Sequence, residues 1–178
     1  GNVLIRSDLN VPIVKGDITD DFRIYQSLQI LDKMMNHSKT VTFSSHLGRP
    51  KNNSLDYSLK PIAKKMSEIL NQRVNFIDEI YGKKINENIE NGKYKINLIE
   101  NLRFDEGEEG NSDEFAKNVT LPFDTYIFDA FGAAHRNHAS VVSFGKHLKS
   151  YQGPLMSKEI EELDKLLVNE KSGYVVLL

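Results

Sequence analysis

The sequence predicts a doubly wound α/β domain, a mostly parallel sheet flanked by helices. Short apolar runs rich in Val, Ile, Leu, Phe and Thr recur along the chain, and the segments between them carry the apolar spacing of helices. A strand-helix alternation of this kind implies right-handed crossovers and a sheet covered on both faces. The residues able to handle charge collect just after the apolar runs, at the edge where open parallel sheets bind their ligands.

The elements are read in order. Val3 to Arg6 is the first strand. Thr19, Asp20 and Asp21 then cap a helix whose apolar stripe is Ile24, Leu28, Leu31 and Met35, at offsets of 4, 7 and 11. Thr40 to Phe43 is a second strand, and Lys51 to Ser54 a polar loop. Ser58 caps a second helix with Pro61 in its first turn, running through Ile62, Met66, Ile69 and Leu70 to Asn71. Strands follow at Val74 to Ile77 and Ile96 to Ile99, a polar loop at Gly107 to Asn111, a third helix from near Ser112, and a fifth strand at Thr125 to Phe128. A helix-like stretch runs from Val141 through Phe144 and Leu148 until Gly153-Pro154 breaks it. The charged amphipathic run Met156 to Leu167 reads as a connector, and Tyr174 to Leu178 as one more strand. The expected organisation is a three-layer, Rossmann-like domain over 1–153, with 154–178 as a connecting helix and the first strand of a further domain. Because the chain begins and ends on apolar strands, a truncated chain is expected.

Composition excludes several function classes. A chain of 178 residues with 39% hydrophobic content can bury one core, and a formal charge of -2 argues against a general nucleic-acid or membrane-surface binder. There is no cysteine, hence no disulfide, thiolate metal site or cysteine nucleophile; this fits a reducing compartment, and cytoplasm is the expectation. No window approaches the roughly 18 apolar residues of a membrane span, and Gly1 to Asp8 carry no signal-peptide pattern. A monomer without nucleic-acid or membrane partners is expected.

The loops after four strands carry the unusual residues: Ser7 to Pro12, Ser44 to Pro50, Glu100 to Phe104 and Asp129 to His138. The chain has only 6 Arg against 17 Lys, yet Arg49, Arg103 and Arg136 lie in these loops and Arg23 opens the first helix. Arg presents a rigid fork that matches phosphate or carboxylate oxygens, whereas Lys is a flexible point charge, so this segregation suits a clamp for a small polyanion. Any one of these arginines could instead sit in a surface ion pair worth about 0 to 1 kcal/mol. Several converging without a ligand would repel one another. A metal reading, with His46, His135, His138 and Asp129 as ligands, is opposed by the neighbouring arginines. Asp8-Leu9-Asn10 echoes the Asp-x-Asp of aspartyl-phosphate phosphatases, but Asn10 has no carboxyl proton to give. Asp8 and Asn10 could equally organise their loop through backbone hydrogen bonds. Neither a Gly-x4-Gly-Lys-Ser/Thr loop nor a Gly-x-Gly-x-x-Gly turn follows any strand, so nucleotide recognition is not visible. A non-catalytic module that senses phosphorylated metabolites is the alternative to an enzyme.

Taken together and in this order, the rim motifs resemble the phosphoglycerate kinase family over nearly the whole chain. They are Asp8 to Pro12; Thr19-Asp20-Asp21-x-Arg23; Ser45-His46-Leu47-Gly48-Arg49-Pro50; Glu100-Asn101-Leu102-Arg103-Phe104 with Gly107-Glu108-Glu109; and Asp129-Ala130-Phe131-Gly132 leading to Ala134-His135-Arg136 and His138-Ala139-Ser140. The resemblance implies that His46, Arg49, Arg103 and Arg136, with Leu47 and Gly48, hold the stationary phosphate of 3-phosphoglycerate or 1,3-bisphosphoglycerate. It also implies that Asp8, Leu9 and Asn10 address the hydroxyl and nearby oxygens, with His135 and His138 as additional contacts. Arg23 is the implied catalytic residue, stabilising charge on the transferring phosphoryl group; the attacking carboxylate needs no base. Mg2+ with ADP or ATP is implied on a second, carboxyl-terminal α/β domain, with no cofactor or metal on the residues present here. The departures are Leu9 for the usual Phe, Ser7 for Val, and Phe128 for Asn; none removes a proposed ligand-binding side chain.

Overall fold

The computed structural model describes residues 1–51 and 54–168. Strand β1 (Asn2–Ser7) leads into a small antiparallel hairpin of β2 (Ile13–Val14) and β3 (Asp17–Ile18). With β1, β4 (Thr40–Ser44), β5 (Asn75–Ile77), β6 (Ile96–Ile99), β7 (Thr125–Asp129) and β8 (Lys149–Gln152) make one six-stranded sheet in the order β5-β6-β4-β1-β7-β8. Every neighbouring pair in it is parallel. All six carboxyl ends therefore share one edge. The chain leaves β1 toward β4 but leaves β7 toward β8, so the connections part between β1 and β7, the place where a crevice opens in such sheets.

The pleat sends successive residues to opposite faces, which explains why β1 is apolar at each of Val3, Leu4 and Ile5. Val3 and Ile5 join Val41, Phe43, Leu98 and Ile127 beneath α1 (Phe22–Leu28), α2 (Leu31–Met34) and α3 (Lys60–Leu70), which contribute Ile24, Leu28, Leu31, Ile62 and Met66. Leu4 joins Ile99 and Tyr126 on the other face. There α4 (Lys83–Asn91) contributes Ile85 and Ile89, the single turn α5 (Glu106–Glu109) leads into α6 (Asp113–Thr120) with Phe115 and Val119, and α7 (Ala139–Val142) precedes α8 (Phe144–His147) with Phe144. Ser112 caps α6 by accepting from the Phe115 N–H.

The stripe Ile24-Leu28-Leu31-Met35 lies on two helices rather than one. Gln29 N–H bonds to the carbonyl of Gln26, three residues back, and this tighter turn bends the stripe while Ile24, Leu28 and Leu31 stay buried. α3 starts at Lys60, two residues after Ser58, whose hydroxyl still accepts from Lys60 N–H. The stretch after Val141 breaks at Ser143, and Leu148 leads straight into β8. The connector is α9 (Pro154–Val168), beginning at the proline, which tolerates the first turn because its missing N–H has no partner there. The strand expected at Tyr174 to Leu178 lies outside the described residues.

Candidate functional site

Buried polar side chains knit the loops leaving β1, β4 and β6. Leu9 N–H donates to Ser45 Oγ at 2.9 Å, and Ser45 Oγ donates to the Ser7 carbonyl at 2.8 Å. Gly48 N–H donates to Asn10 Oδ1 at 2.9 Å. The Asn101 side chain accepts from the N–H of Leu47 at 3.3 Å and of Arg103 at 3.0 Å, and donates to the carbonyls of Leu47 and Tyr57 at 2.9 Å each. Gly48 is required twice over: its φ is +59°, and a Cβ there would stand 2.5 Å from the Tyr57 ring. The side chains of Leu9 and Leu47 lie in the core, so these two residues face the rim with backbone only.

On this frame sits a cluster of cations that begins inside the sheet. Arg6, in β1, is only 1% exposed. Its Nε donates to Ser140 Oγ at 3.1 Å, its Nη1 to the Ser7 carbonyl, and its Nη2 to His46 Nδ1 at 2.9 Å. A guanidinium can only donate, so His46 Nδ1 must accept, and the imidazole is neutral with its proton on Nε2. Burial, then the charges of Arg6, Arg103 and Arg136, then His138, push the His46 pKa down to about 2. The charge of Arg136 bears on Arg103 and His138 as well as on this imidazole. Arg103 Nη1 donates to the Gly48 carbonyl at 2.5 Å, and its Nε stands 3.3 Å from Glu109 Oε1, near enough for an ion pair but unaligned for a hydrogen bond. Burial lowers the Arg103 pKa; Glu109 opposes this, and Arg136 and Arg6 add to it. His138 is likewise lowered by burial, against the pull of Glu108, whose Oε1 lies 3.8 Å from its Nδ1.

Beside this cluster, in the crevice between β1 and β7, Arg23 Nη1 meets Asp8 Oδ2 at 2.7 Å. Asp8 Oδ1 accepts from Asn10 N–H at 3.3 Å, and a Cβ on Gly132 would stand 3.2 Å from Oδ2. Asp8, Arg23, Gln26, Gly132 and, from α9, Leu155 and Lys158 line a cleft of about 410 Å³ here. Asp129, at the end of β7, lines the same cleft; its Oδ1 accepts from Met156 N–H of α9 at 2.9 Å, while its Oδ2 is buried with no hydrogen-bond partner among the described residues. Burial raises its pKa, opposed by the N–H groups of Met156 and Leu155.

The structure thus brings together His46, Arg103, Arg136 and His138, and separately pairs Asp8 with Arg23 beside Asn10 and Gly48. Arg49 and His135 are exposed on the same loops, and among the described residues neither forms an ion pair. Of the metal alternative's residues, Asp129 gives its Oδ1 to the start of α9, and among the described residues no three His, Asp or Glu are grouped to hold a metal ion. Sequence reasoning missed Arg6, Glu108 and Asn101 as site-forming residues. Arg6 did leave a signal, a cation inside an apolar strand that must find partners once buried. An oxyanion suits the arrangement, because donors are plentiful and, among the described residues, Arg6, Arg49 and Arg136 have no carboxylate within ion-pair distance.

The comparisons with known proteins agree with this fold. A family model described as phosphoglycerate kinase matches residues 1–178. The chain is 44% identical over 178 residues to the phosphoglycerate kinase of Thermosipho africanus, covering 99% of this chain and 44% of that protein. It is 41% identical over 177 residues to that of Borrelia hermsii, covering 98% and 45%. Among solved structures, phosphoglycerate kinase from Pyrococcus horikoshii superposes with a TM-score of 0.85 at 31% identity, over 96% of this chain and 44% of that one. The enzyme from Coxiella burnetii gives 0.81 at 33% identity, over 96% and 43%. The chain spans less than half the length of these relatives. With the family match running its full length, the chain belongs to the phosphoglycerate kinase family.

Proposed function

We propose that this chain is the acid-substrate-binding part of a glycolytic phosphoglycerate kinase, which transfers a phosphoryl group between 1,3-bisphosphoglycerate and Mg-ADP to give 3-phosphoglycerate and ATP. The observation that carries the proposal is the buried Arg6 bonded to His46 and Arg103 bonded to the Gly48 carbonyl at the carboxyl edge of the sheet, with Arg136 adding its charge to the same imidazole. These groups, with the exposed Arg49, grip the stationary phosphate; His46 offers its Nε2–H, and Leu47 and Gly48 shape the loop. His135 and His138 stand ready to add donors.

Asp8 and Asn10 receive the hydroxyl and neighbouring oxygens, with Leu9 fixing their backbone. Arg23, on the far side of the crevice, meets the phosphoryl group in flight. The attacking carboxylate is ionised already, so the protein's work is positioning and charge stabilisation. Mg2+ and nucleotide belong to the part of the relatives that this chain does not span. The cationic rim supplies no acidic ligand set for the ion, so none of the residues here is assigned to it. Residues 1–153 act as the substrate domain and α9 as the root of a hinge that brings the two substrates together. The whole enzyme is expected to act as a cytoplasmic monomer.

Isothermal titration of the chain with 3-phosphoglycerate tests the reading. Saturable binding is expected, with about 2.7 kcal/mol of added stability at a hundredfold excess over Kd. Arg136→Ala should weaken binding by about 10- to 100-fold, the worth of one charge-assisted hydrogen bond. A folded sample with neither heat nor a melting shift at millimolar ligand rejects the proposal.

A further inference from the structure

Arg6 poses an electrostatic problem that its direct contacts do not solve. It is buried, and its three hydrogen-bond acceptors are a hydroxyl, a carbonyl and an imidazole, all neutral. Among the described residues no carboxylate lies within ion-pair distance of it. A buried cation without a counter-charge is costly.

The counter-charge lies one hydroxyl away. Glu108, the third residue of the turn α5, is 0% exposed. Its Oε2 accepts from Ser140 N–H at 3.0 Å, and its Oε1 accepts from Ser140 Oγ at 2.6 Å. The Ser140 hydroxyl has a single proton, and Glu108 takes it, so Ser140 Oγ meets Arg6 Nε only as an acceptor. Arg6 donates in each of its bonds by its own chemistry, and the relay settles where the guanidinium is held. Arg6 Nε–H points to Ser140, Arg6 Nη2–H points to His46 Nδ1, and the His46 proton is left on Nε2. Oε1 of the same carboxylate stands 3.8 Å from His138 Nδ1.

We propose that Glu108 is a positioning residue for the anion cluster: acting through the Ser140 hydroxyl it fixes the Arg6 guanidinium, and through Arg6 the orientation of His46. It touches no ligand. Its ligand arm rests on the 3-phosphoglycerate reading above; its geometric arm does not.

The sign of one substitution separates positioning from a simple field effect. Glu108→Gln keeps the shape and one acceptor but removes a negative charge near the rim. If the charge acted only through space, an anion would bind more tightly to the variant. Positioning predicts the reverse, roughly tenfold weaker 3-phosphoglycerate binding by calorimetry, and a similar loss in Ser140→Ala, which breaks the relay while keeping the charge. The double variant should bind no worse than the weaker single one, because both cut the same chain. In the ligand-free protein, nuclear magnetic resonance of the Arg6 Nε–H should show a proton protected from exchange in the wild type and roughly tenfold less protected in either variant. His138, whose protonation Glu108 favours, should also titrate at lower pH in Glu108→Gln.

Unchanged or tighter binding in folded variants overturns the proposal, as does an Arg6 Nε–H equally protected in all three proteins. If Glu108→Gln does not fold, Ser140→Ala decides alone by the same two readouts. If the wild type itself fails to bind 3-phosphoglycerate, the functional reading falls and the Arg6 measurement still decides the role of Glu108.

Discussion

Arg6 permits His46 only one protonation state, and this makes the fold sensitive to acid. The native imidazole is held down to about 2, whereas an unfolded histidine titrates near 6.5. Below pH ~6.5 the unfolded chain therefore takes up a proton that the native chain refuses. The stabilising contribution is whole above that pH and falls with acidification, by up to about 1.4 kcal/mol per pH unit. His138, also lowered, acts in the same direction. Urea unfolding at pH 7 and pH 5 should show a smaller loss for His46→Gln than for the wild type, and equal losses would contradict the assignment. At this scale the sequence was informative where residue type alone signals chemistry, as for His46, Arg103 and Arg136. Glu108 stood out only as part of the Gly107-Glu108-Glu109 motif; beside Glu106 and Glu109 its own role is indistinguishable from that of a residue in a solvated acidic turn. Its burial follows from α5 folding under Ser140, a contact made across 32 residues.

Among the elements, the junction of β7 with α9 carries the sharpest expectation. Gly153 N–H is anchored to the Phe128 carbonyl at 2.8 Å, and a Cβ on Gly153 would stand 2.3 Å from Asp129 Cγ. Gly153→Ala must therefore drive the Asp129 carboxylate off the Met156 N–H, uncapping the helix at a cost of about 1 kcal/mol. Hydrogen exchange should speed up first at Leu155 and Met156; unchanged protection there would rule this out. The elements that the sequence did not disclose share a cause. α4 has only Ile85 and Ile89 as buried residues, and β8, Lys149-Ser150-Tyr151-Gln152, is exposed throughout. An edge strand needs one partner and no apolar face, so it leaves no periodic trace. Two-residue strands such as β2 and β3 are too short to show a period at all.

For the molecule as a whole, one sheet serves two cores. β1 sends Val3 and Ile5 to one and Leu4 to the other, so neither can melt while its neighbour stays packed. Met66→Ala, at a fully buried position on the inner face of α3, should cost about 2 to 5 kcal/mol, and urea unfolding should remain a single transition for tyrosine and helix signals alike. Two separated steps would show that the faces are independent. The layered architecture was legible because buried parallel strands read as unbroken apolar runs. The order of those strands was not, since nothing in Val74 to Ile77 says that it lies at the outer edge beyond β6. The Asp129 cap has one more consequence. It pins the base of a 15-residue rod at the same rim as the anion cluster. Such a rod is about 22 Å long, so a tilt of about 10° at its base carries the tip roughly 4 Å. A carboxylate shift that tilted the rod by that much would reach the tip as a displacement about the size of a phosphate group.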